Sequence, residues 1–250
     1  MRGRAAPISV HEYHTRIAAS YAREPLRRVL EVGCNTGLEC RAFADLGAAR
    51  VDGLDVVENT GRDFPHARVS YLRSSAESIA VHDDTYDLVY SYATMEHVPD
   101  IEAAFREFVR VTHPGGIIYS LAAPLWNSRF GHHKPGIFAS FPWIHLMKNE
   151  DEIIALCERE HIVDPSSQND IARDVRYMLN PAYFNKTAAA RYVEVCHSLS
   201  RVRILINELN LESGSVLDDD LFAELKEKGY TRQELLALGH LFVARKQQQA

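Results

Sequence analysis

Between residues 28 and 122, short apolar runs take turns with stripes of apolar residues three and four apart. That alternation constrains the fold more than any other feature. Val29-Leu30-Glu31-Val32 stops at Gly33 and reads as a buried strand followed by a turn. Leu38, Ala42, Phe43 and Leu46 then recur at helical spacing and stop at Gly47, a C-terminal stop signal. Further strands are expected over 51–57, 69–72, 86–90 and 117–122. A helical stripe of Ile101, Phe105, Phe108 and Val109 ends at His113-Pro114-Gly115-Gly116. The apolar runs lack a clean in–out alternation, which marks strands covered on both faces. The expectation is therefore a parallel sheet with helices on either side.

Residues 10–23 read as an N-terminal helix with Ile17, Ala18 and Tyr21 on one face, ended by Pro25. After residue 122 the rhythm breaks. Residues 123–183 are punctuated by Pro124, Pro135, Pro142, Pro165 and Pro181. They hold both tryptophans and His132, His133, His145 and His161. One helix is expected there, over 150–160. The stretch is too long for an ordinary connection and reads as a functional insertion or lid. Regularity returns with a helix over 187–199, a strand over 202–206, a helix over 221–228 and an apolar strand over 238–245. These close the sheet within a single domain spanning 1–250.

Composition narrows the function classes. The net charge of −6 argues against non-specific nucleic-acid binding, which needs clustered Lys and Arg. Four cysteines without a C-x-x-C pair exclude a disulfide scaffold and a zinc ribbon or finger. No apolar run approaches the roughly 20 residues of a membrane span. The N-terminal Met-Arg-Gly-Arg-Ala-Ala-Pro is not followed by an apolar core and does not read as a signal peptide. A reduced, cytoplasmic protein with no membrane partner is expected. The twelve histidines are an excess that calls for a reason.

Chemistry concentrates in Glu31-Val32-Gly33-Cys34-Asn35-Thr36-Gly37, placed after a strand and opening a helix. Glycine there permits a tight turn and close ligand approach, and free N–H groups at the helix start favour an anion. Asp55 stands at the end of the second strand, where an acid can accept hydrogen bonds from both ribose hydroxyls. Ser75-Ala76-Glu77 follows the third strand, where a loop can edge an adenine ring. Together they point to a nucleoside site. The dinucleotide spacing G-x-G-x-x-G is not met, since Asn35 follows Cys34 and Leu38 stands three further on.

At this point the sequence resembles the class I S-adenosylmethionine-dependent methyltransferases, in particular their small-molecule, ubiquinone-methyltransferase-like (type 11) branch. The resemblance is carried by Val29-Leu-Glu-Val-Gly-Cys-Asn-Thr-Gly37, Gly53-Leu-Asp-Val56, Ser75-Ala-Glu77 and Tyr86-Asp-Leu-Val89. It continues through Met95-Glu-His-Val-Pro-Asp100, Glu107-Phe-Val-Arg-Val-Thr-His-Pro-Gly-Gly-Ile117 and, weakly, His240-Leu-Phe-Val-Ala-Arg-Lys246. It implies an α/β, Rossmann-like, doubly wound sheet of seven mostly parallel strands. A C-terminal antiparallel strand and a lid-like insertion after the fifth strand complete it. It divides the chain into a helix over the cofactor (10–24), a cofactor-binding core (28–122), an acceptor-determining insertion (123–183) and a sheet-closing part (184–246). The implied cofactor is S-adenosylmethionine. Glu31, Gly33, Cys34, Asn35 and Gly37 would shape the loop around its methionine part. Asp55 would hold the ribose and Val56 would pack on the adenine. Ser75, Ala76 and Glu77 would border the adenine, and Ser91 and Tyr92 would lie near the amine and sulfonium. The chain departs from the family pattern at Asn35, usually glycine, and at Ser75, usually aspartate.

Methyl transfer from a sulfonium needs a base only if the nucleophile must lose a proton early, as a hydroxyl does. His97 is the candidate within the shared region, its competing role being a packing histidine of the Glu-His-Val-Pro turn. The insertion adds His132, His133 and His145 as candidate bases. Trp126 and Trp143 are candidate pocket walls, and Arg129 a partner for an acidic group. Tyr13 and Tyr183 are expected to complete the acceptor pocket. No metal is expected: no i, i+4 histidine pair or H-E-x-x-H is present, and adjacent histidines rarely point the same way. The expected function is methyl transfer to an O or N atom of a polar small molecule of natural-product or secondary-metabolite type. The competing readings are a macromolecule-directed methyltransferase and a non-catalytic cofactor-binding scaffold. The first predicts a basic face and an Asn-Pro-Pro-Tyr motif, of which Asn180-Pro181-Ala182-Tyr183 is a partial echo. The apolar C-terminal strand and the insertion offer surfaces for a homodimer.

Overall fold

The computed structural model describes residues 8–22, 25–164 and 170–248. Strand β1 (Arg28–Val32) is buried along nearly its whole length, as its apolar run requires. It pairs in parallel with β2 (Arg50–Asp55) on one side and β4 (Tyr86–Tyr92) on the other. With β3 (Val69–Arg73), β5 (Thr112–Ala122), β6 (Val202–Leu211) and β7 (Ala237–Lys246), the sheet has seven strands in the order β3-β2-β1-β4-β5-β7-β6. The first five run parallel, and β7 is antiparallel to both β5 and β6. The strand order therefore reverses between β1 and β4, which leaves a crevice at their carboxyl ends.

Helices cover both faces. Helices α1 (Val10–Tyr21) and α2 (Leu38–Asp45) lie over a core that includes Val29, Phe43, Val51, Leu88 and Tyr90. On the other face, α3 (Ile101–Val111) belongs to a core with Leu30, Val89, Phe105, Phe108, Tyr192 and Phe242. Asp100 caps α3, its side chain accepting from the Ala103 amide at 2.9 Å. The architecture is a doubly wound, mostly parallel Rossmann-like sheet with one antiparallel strand inside its C-terminal part, as the sequence reading expects.

Element ends depart from the sequence reading for identifiable reasons. The strand expected over 51–57 stops at Asp55, because its carboxylate accepts from the Val56 and Val57 amides and draws them out of the ladder. Strand β5 begins at Thr112, which pairs with Tyr86 across a register irregularity. Helix α1 ends at Tyr21, with Ala22 already extended; Arg23 and Glu24 of the expected helix lie outside the described residues. Strand β6 runs to Leu211, two register irregularities keeping it against β7. The C-terminal strand β7 lies between β5 and β6, so it is no free edge for a second copy.

Among its described residues the insertion folds into four helices, α4 (Pro135–Phe138), α5 (Ile144–Met147), α6 (Glu150–Arg159) and α7 (Ile171–Leu179). Of these only α6 is expected from sequence, and it starts on a capping box of Asn149 and Glu152. Phe138, Ile153, Leu156, Val175 and Met178 give this part a core of its own. Helix α8 (Ala189–Ser198) then returns to the sheet beside α3. Helices α9 (Asp219–Glu227) and α10 (Arg232–Leu236) contribute Leu225 and Leu235 to a cluster around Trp126 and Trp143. Among the described residues no helix is long and apolar enough to cross a membrane. Phe105, fully buried, packs on Phe108 and Phe242 at ring distances of 5.6 and 5.5 Å. Phe105→Ala is expected to cost about 3–5 kcal/mol in urea unfolding, with the denaturant slope unchanged.

Candidate active site

The loop after β1 is held in shape by its backbone. Gly33 and Gly37 adopt φ of 82° and 98°, where only glycine is unstrained, and Asn35 takes 44°. A Cβ on Gly33 would fall 1.9 Å from Thr94 Oγ1, so the loop touches the turn after β4. The Gly33 and Cys34 amides donate to Leu54 O at 2.8 and 3.1 Å. Asp55 Oδ2 accepts from the Asn35 amide at 2.8 Å, and Oδ1 from Val56 and Val57 at 2.7 and 3.2 Å. The Asp55 carboxylate is thus oriented by three amides before any ligand arrives.

A cleft of about 740 Å³ opens here, at the carboxyl ends of β1, β2 and β4. Of the residues singled out from sequence, Gly33, Cys34, Asn35, Asp55, Val56, Ser75, Ala76, Tyr92, His97 and Tyr183 line it. Glu31, Gly37, Glu77 and Ser91 do not. Glu31 is buried behind the loop, and burial, reinforced by nearby Glu39, holds its carboxyl well above the usual range. Glu77 is a brace: it accepts from the Asp100 amide at 2.7 Å and from Ser75 Oγ at 3.0 Å, tying this loop to the start of α3. Ser91 is buried in β4.

His11, Glu39, Thr94, Tyr177 and Ala182 also line the cleft and were not singled out from sequence. His11 Nδ1 lies 2.5 Å from Glu39 Oε1, and its ring meets Tyr92 edge-on at 5.3 Å. This contact lays α1 across the cleft. The one available signal was Glu39 itself, an acid in the first turn of the helix opened by Gly37.

The histidines separate into two groups. His97 Nδ1 lies 2.5 Å from Tyr183 O, and His133 Nε2 lies 3.0 Å from Pro124 O. A carbonyl only accepts, so these nitrogens carry the protons. The two rings are 5.0 Å apart. His132 and His145 are buried in the insertion, their rings 5.3 Å apart. His132 Nδ1 accepts from the Lys134 amide at 3.0 Å, and His145 Nε2 donates to Trp126 O at 2.7 Å. Burial pushes His132 and His133 down to about 4 and His145 to about 3, and lowers His97. All four are neutral near pH 7, and His132, His133 and His145 are weak bases there.

Trp126, Trp143, Arg129 and Tyr13 are not walls of the cleft. Trp126 and Trp143 are buried in the aromatic cluster, and Trp143 Nε1 donates to Asn127 O at 3.2 Å. Arg129 pairs with Glu212 at 2.7 Å and stacks on Phe130. Tyr13 projects into solvent from α1. Tyr177 and Tyr183, with rings 4.7 Å apart, instead carry the insertion into the cleft.

Comparison with known proteins fits this geometry. Residues 30–120 match the family model described as a methyltransferase domain. Over that stretch the chain carries a methyltransferase domain. An uncharacterised methyltransferase of Mycobacteroides abscessus is 32% identical over 117 residues, covering 44% of this chain and 45% of that protein. The ubiquinone biosynthesis O-methyltransferase of Mesorhizobium japonicum is 32% identical over 126 residues, covering 45% and 50%. The chain thus spans about half the length of the curated relatives it matches. The crystal structure of an S-adenosylmethionine-dependent methyltransferase from Mesorhizobium loti shares the fold. Its TM-score is 0.55 at 17% identity, over 95% of this chain and 98% of that one. S-adenosylmethionine is the cofactor such a domain implies. The residues present fit it, since the oriented acid, Val56, Ala76 and the glycine turn all line one cleft.

The raised Glu31 carboxyl has a consequence for stability. It stays protonated in the fold at pH values where the unfolded chain has lost that proton. Its favourable contribution is therefore present at low pH and lost as pH rises through the folded value. Glu31→Gln removes that loss. Its melting temperature is expected to match wild type near pH 5 and to exceed it by roughly 2–4 °C at pH 9, equivalent to about 1 kcal/mol. A difference that stays flat with pH would contradict the assignment.

Proposed function

We propose that the chain is an S-adenosylmethionine-dependent methyltransferase that methylates an O or N atom of a polar small molecule, of natural-product or secondary-metabolite type. The observation that carries this reading is the single cleft joining Asp55 and the glycine loop at one end to the insertion's Tyr177, Ala182 and Tyr183 at the other. In it, Asp55 takes the ribose hydroxyls, Val56 and Ala76 flank the adenine, and the Gly33 loop cups the methionine part. Glu39, on the same wall, offers a counter-charge to the amine. The bound cofactor supplies a methyl group made electrophilic by the sulfonium. The protein's work is positioning: α1 and the insertion exclude water, and Tyr177, Tyr183 and His97 orient the acceptor. Residues 123–183 then set acceptor choice, since Tyr177 and Tyr183 come from that segment.

The small-molecule reading is supported by the net charge of −6 and by the ubiquinone biosynthesis enzymes among the relatives. Four free, buried cysteines fit a reducing compartment, and we place the reaction in the cytoplasm.

Calorimetry with S-adenosylhomocysteine tests the cofactor end. Wild type is expected to bind one equivalent, and Asp55→Ala to bind roughly 10–100-fold more weakly through loss of charge-assisted hydrogen bonds. Incubation with methyl-labelled S-adenosylmethionine and fractionated cell extract tests the acceptor. Label is expected in the low-molecular-weight fraction. Label confined to protein or nucleic acid would sink the small-molecule reading, and absence of S-adenosylhomocysteine binding would sink the transferase itself.

A further inference from the structure

We propose that Glu96, His97 and His133 form a binding site for a zinc-class divalent cation at the acceptor end of the cleft. One candidate ligand atom from each of the three lies within 4.8 Å of the others. Tetrahedral zinc, with bonds of about 2.0–2.1 Å, sets its ligands about 3.4 Å apart. The three side chains therefore need to converge by no more than about 1.4 Å.

The donor set is chemically prepared. Glu96 is 3% exposed, and neither of its carboxyl oxygens has a hydrogen-bond partner. A carboxyl buried in that way calls for a partner. His97 and His133 each spend one ring N–H on a backbone carbonyl, of Tyr183 and Pro124. The lone pair left is on Nε2 of His97 and Nδ1 of His133. An imidazole tethered through its far nitrogen to a carbonyl is the arrangement that orients metal-ligating histidines.

The supporting shell is rigid. Asn185 Nδ2 donates to Met95 O and Val98 O at 2.7 and 2.8 Å, and the Asn185 amide donates to Glu96 O at 3.1 Å. The turn carrying Glu96 and His97 is thereby locked on both sides. Two imidazoles and one carboxylate leave a fourth position open, as in catalytic rather than structural zinc sites. Because His97 lines the cleft, the site borders it. A cation held there would lower the pKa of a hydroxyl placed beside it, so the acceptor class it favours is a hydroxyl compound. That use rests on the transferase reading; the binding of the ion does not.

The test is calorimetric titration of the full chain with Zn²⁺, alongside S-adenosylhomocysteine on the same sample. Wild type and the surface control His113→Ala are expected to bind one Zn²⁺. Glu96→Gln and His133→Ala, with circular dichroism unchanged, are expected to bind at least tenfold more weakly. Should either variant fail to fold, the absorption spectrum of Co²⁺-loaded wild type reads the ligands directly. Intense d–d bands of a four-coordinate nitrogen–oxygen site support the proposal, and a hexaaquo-like spectrum overturns it. No stoichiometric Zn²⁺ binding, or binding unchanged in both variants, also overturns it. Zn²⁺ binding without S-adenosylhomocysteine binding leaves the cation site standing and removes the transferase; the reverse result does the opposite.

Discussion

The stitching of two strand ends carries the rest of the architecture. At the carboxyl ends of β1 and β2, amides of the glycine loop donate to Leu54 O, and the Asn35 amide donates to Asp55. Those bonds are possible because Gly33 and Gly37 reach left-handed backbone angles. They leave the Asp55 carboxylate aimed over the crevice where the strand order reverses. The cleft is thus a property of backbone geometry, and side chains from α1 and the insertion only finish its walls.

The insertion shows how aromatic residues are claimed by packing before they are free to bind. Trp126 and Trp143 look like pocket walls in sequence because they are large and close to histidines. In the fold they seal a cluster with Phe184, Leu225 and Leu235, where burying an aromatic side chain is worth more than exposing it to a cleft. The residues that do reach the cleft, Tyr177 and Tyr183, are half-exposed and flank a turn. Desolvation also changes the chemistry of the histidines. His132 and His145 are held neutral in the interior, and their spare nitrogens have no hydrogen-bond partner among the described residues. His97 after β4 and His133 from the insertion are instead brought together from distant segments, their rings 5.0 Å apart.

Legibility follows range. The strands of residues 28–122 could be read because a strand buried on both faces must be apolar throughout, and a helix on a sheet must repeat near 3.6. Gly33, Asn35 and Asp55 could be read because a turn between strand and helix needs particular backbone conformers and an acid at a strand end. Helices α4 and α5, of four residues each, could not, since one turn has no period. Glu77 was misplaced for a related reason: whether an acid faces a ligand or braces a helix start depends on where Asp100 lies.

The sequence by itself determined the alternating strands and helices of residues 28–122 and the glycine turn between the first strand and its helix, because each rests on contacts within one turn or one strand. The tertiary structure alone decided which insertion residues meet the cleft, that α1 is pinned across it by His11 and Glu39, and that Glu96, His97 and His133 converge. Those are contacts between segments far apart in the chain, and no local pattern encodes the direction in which a buried side chain points.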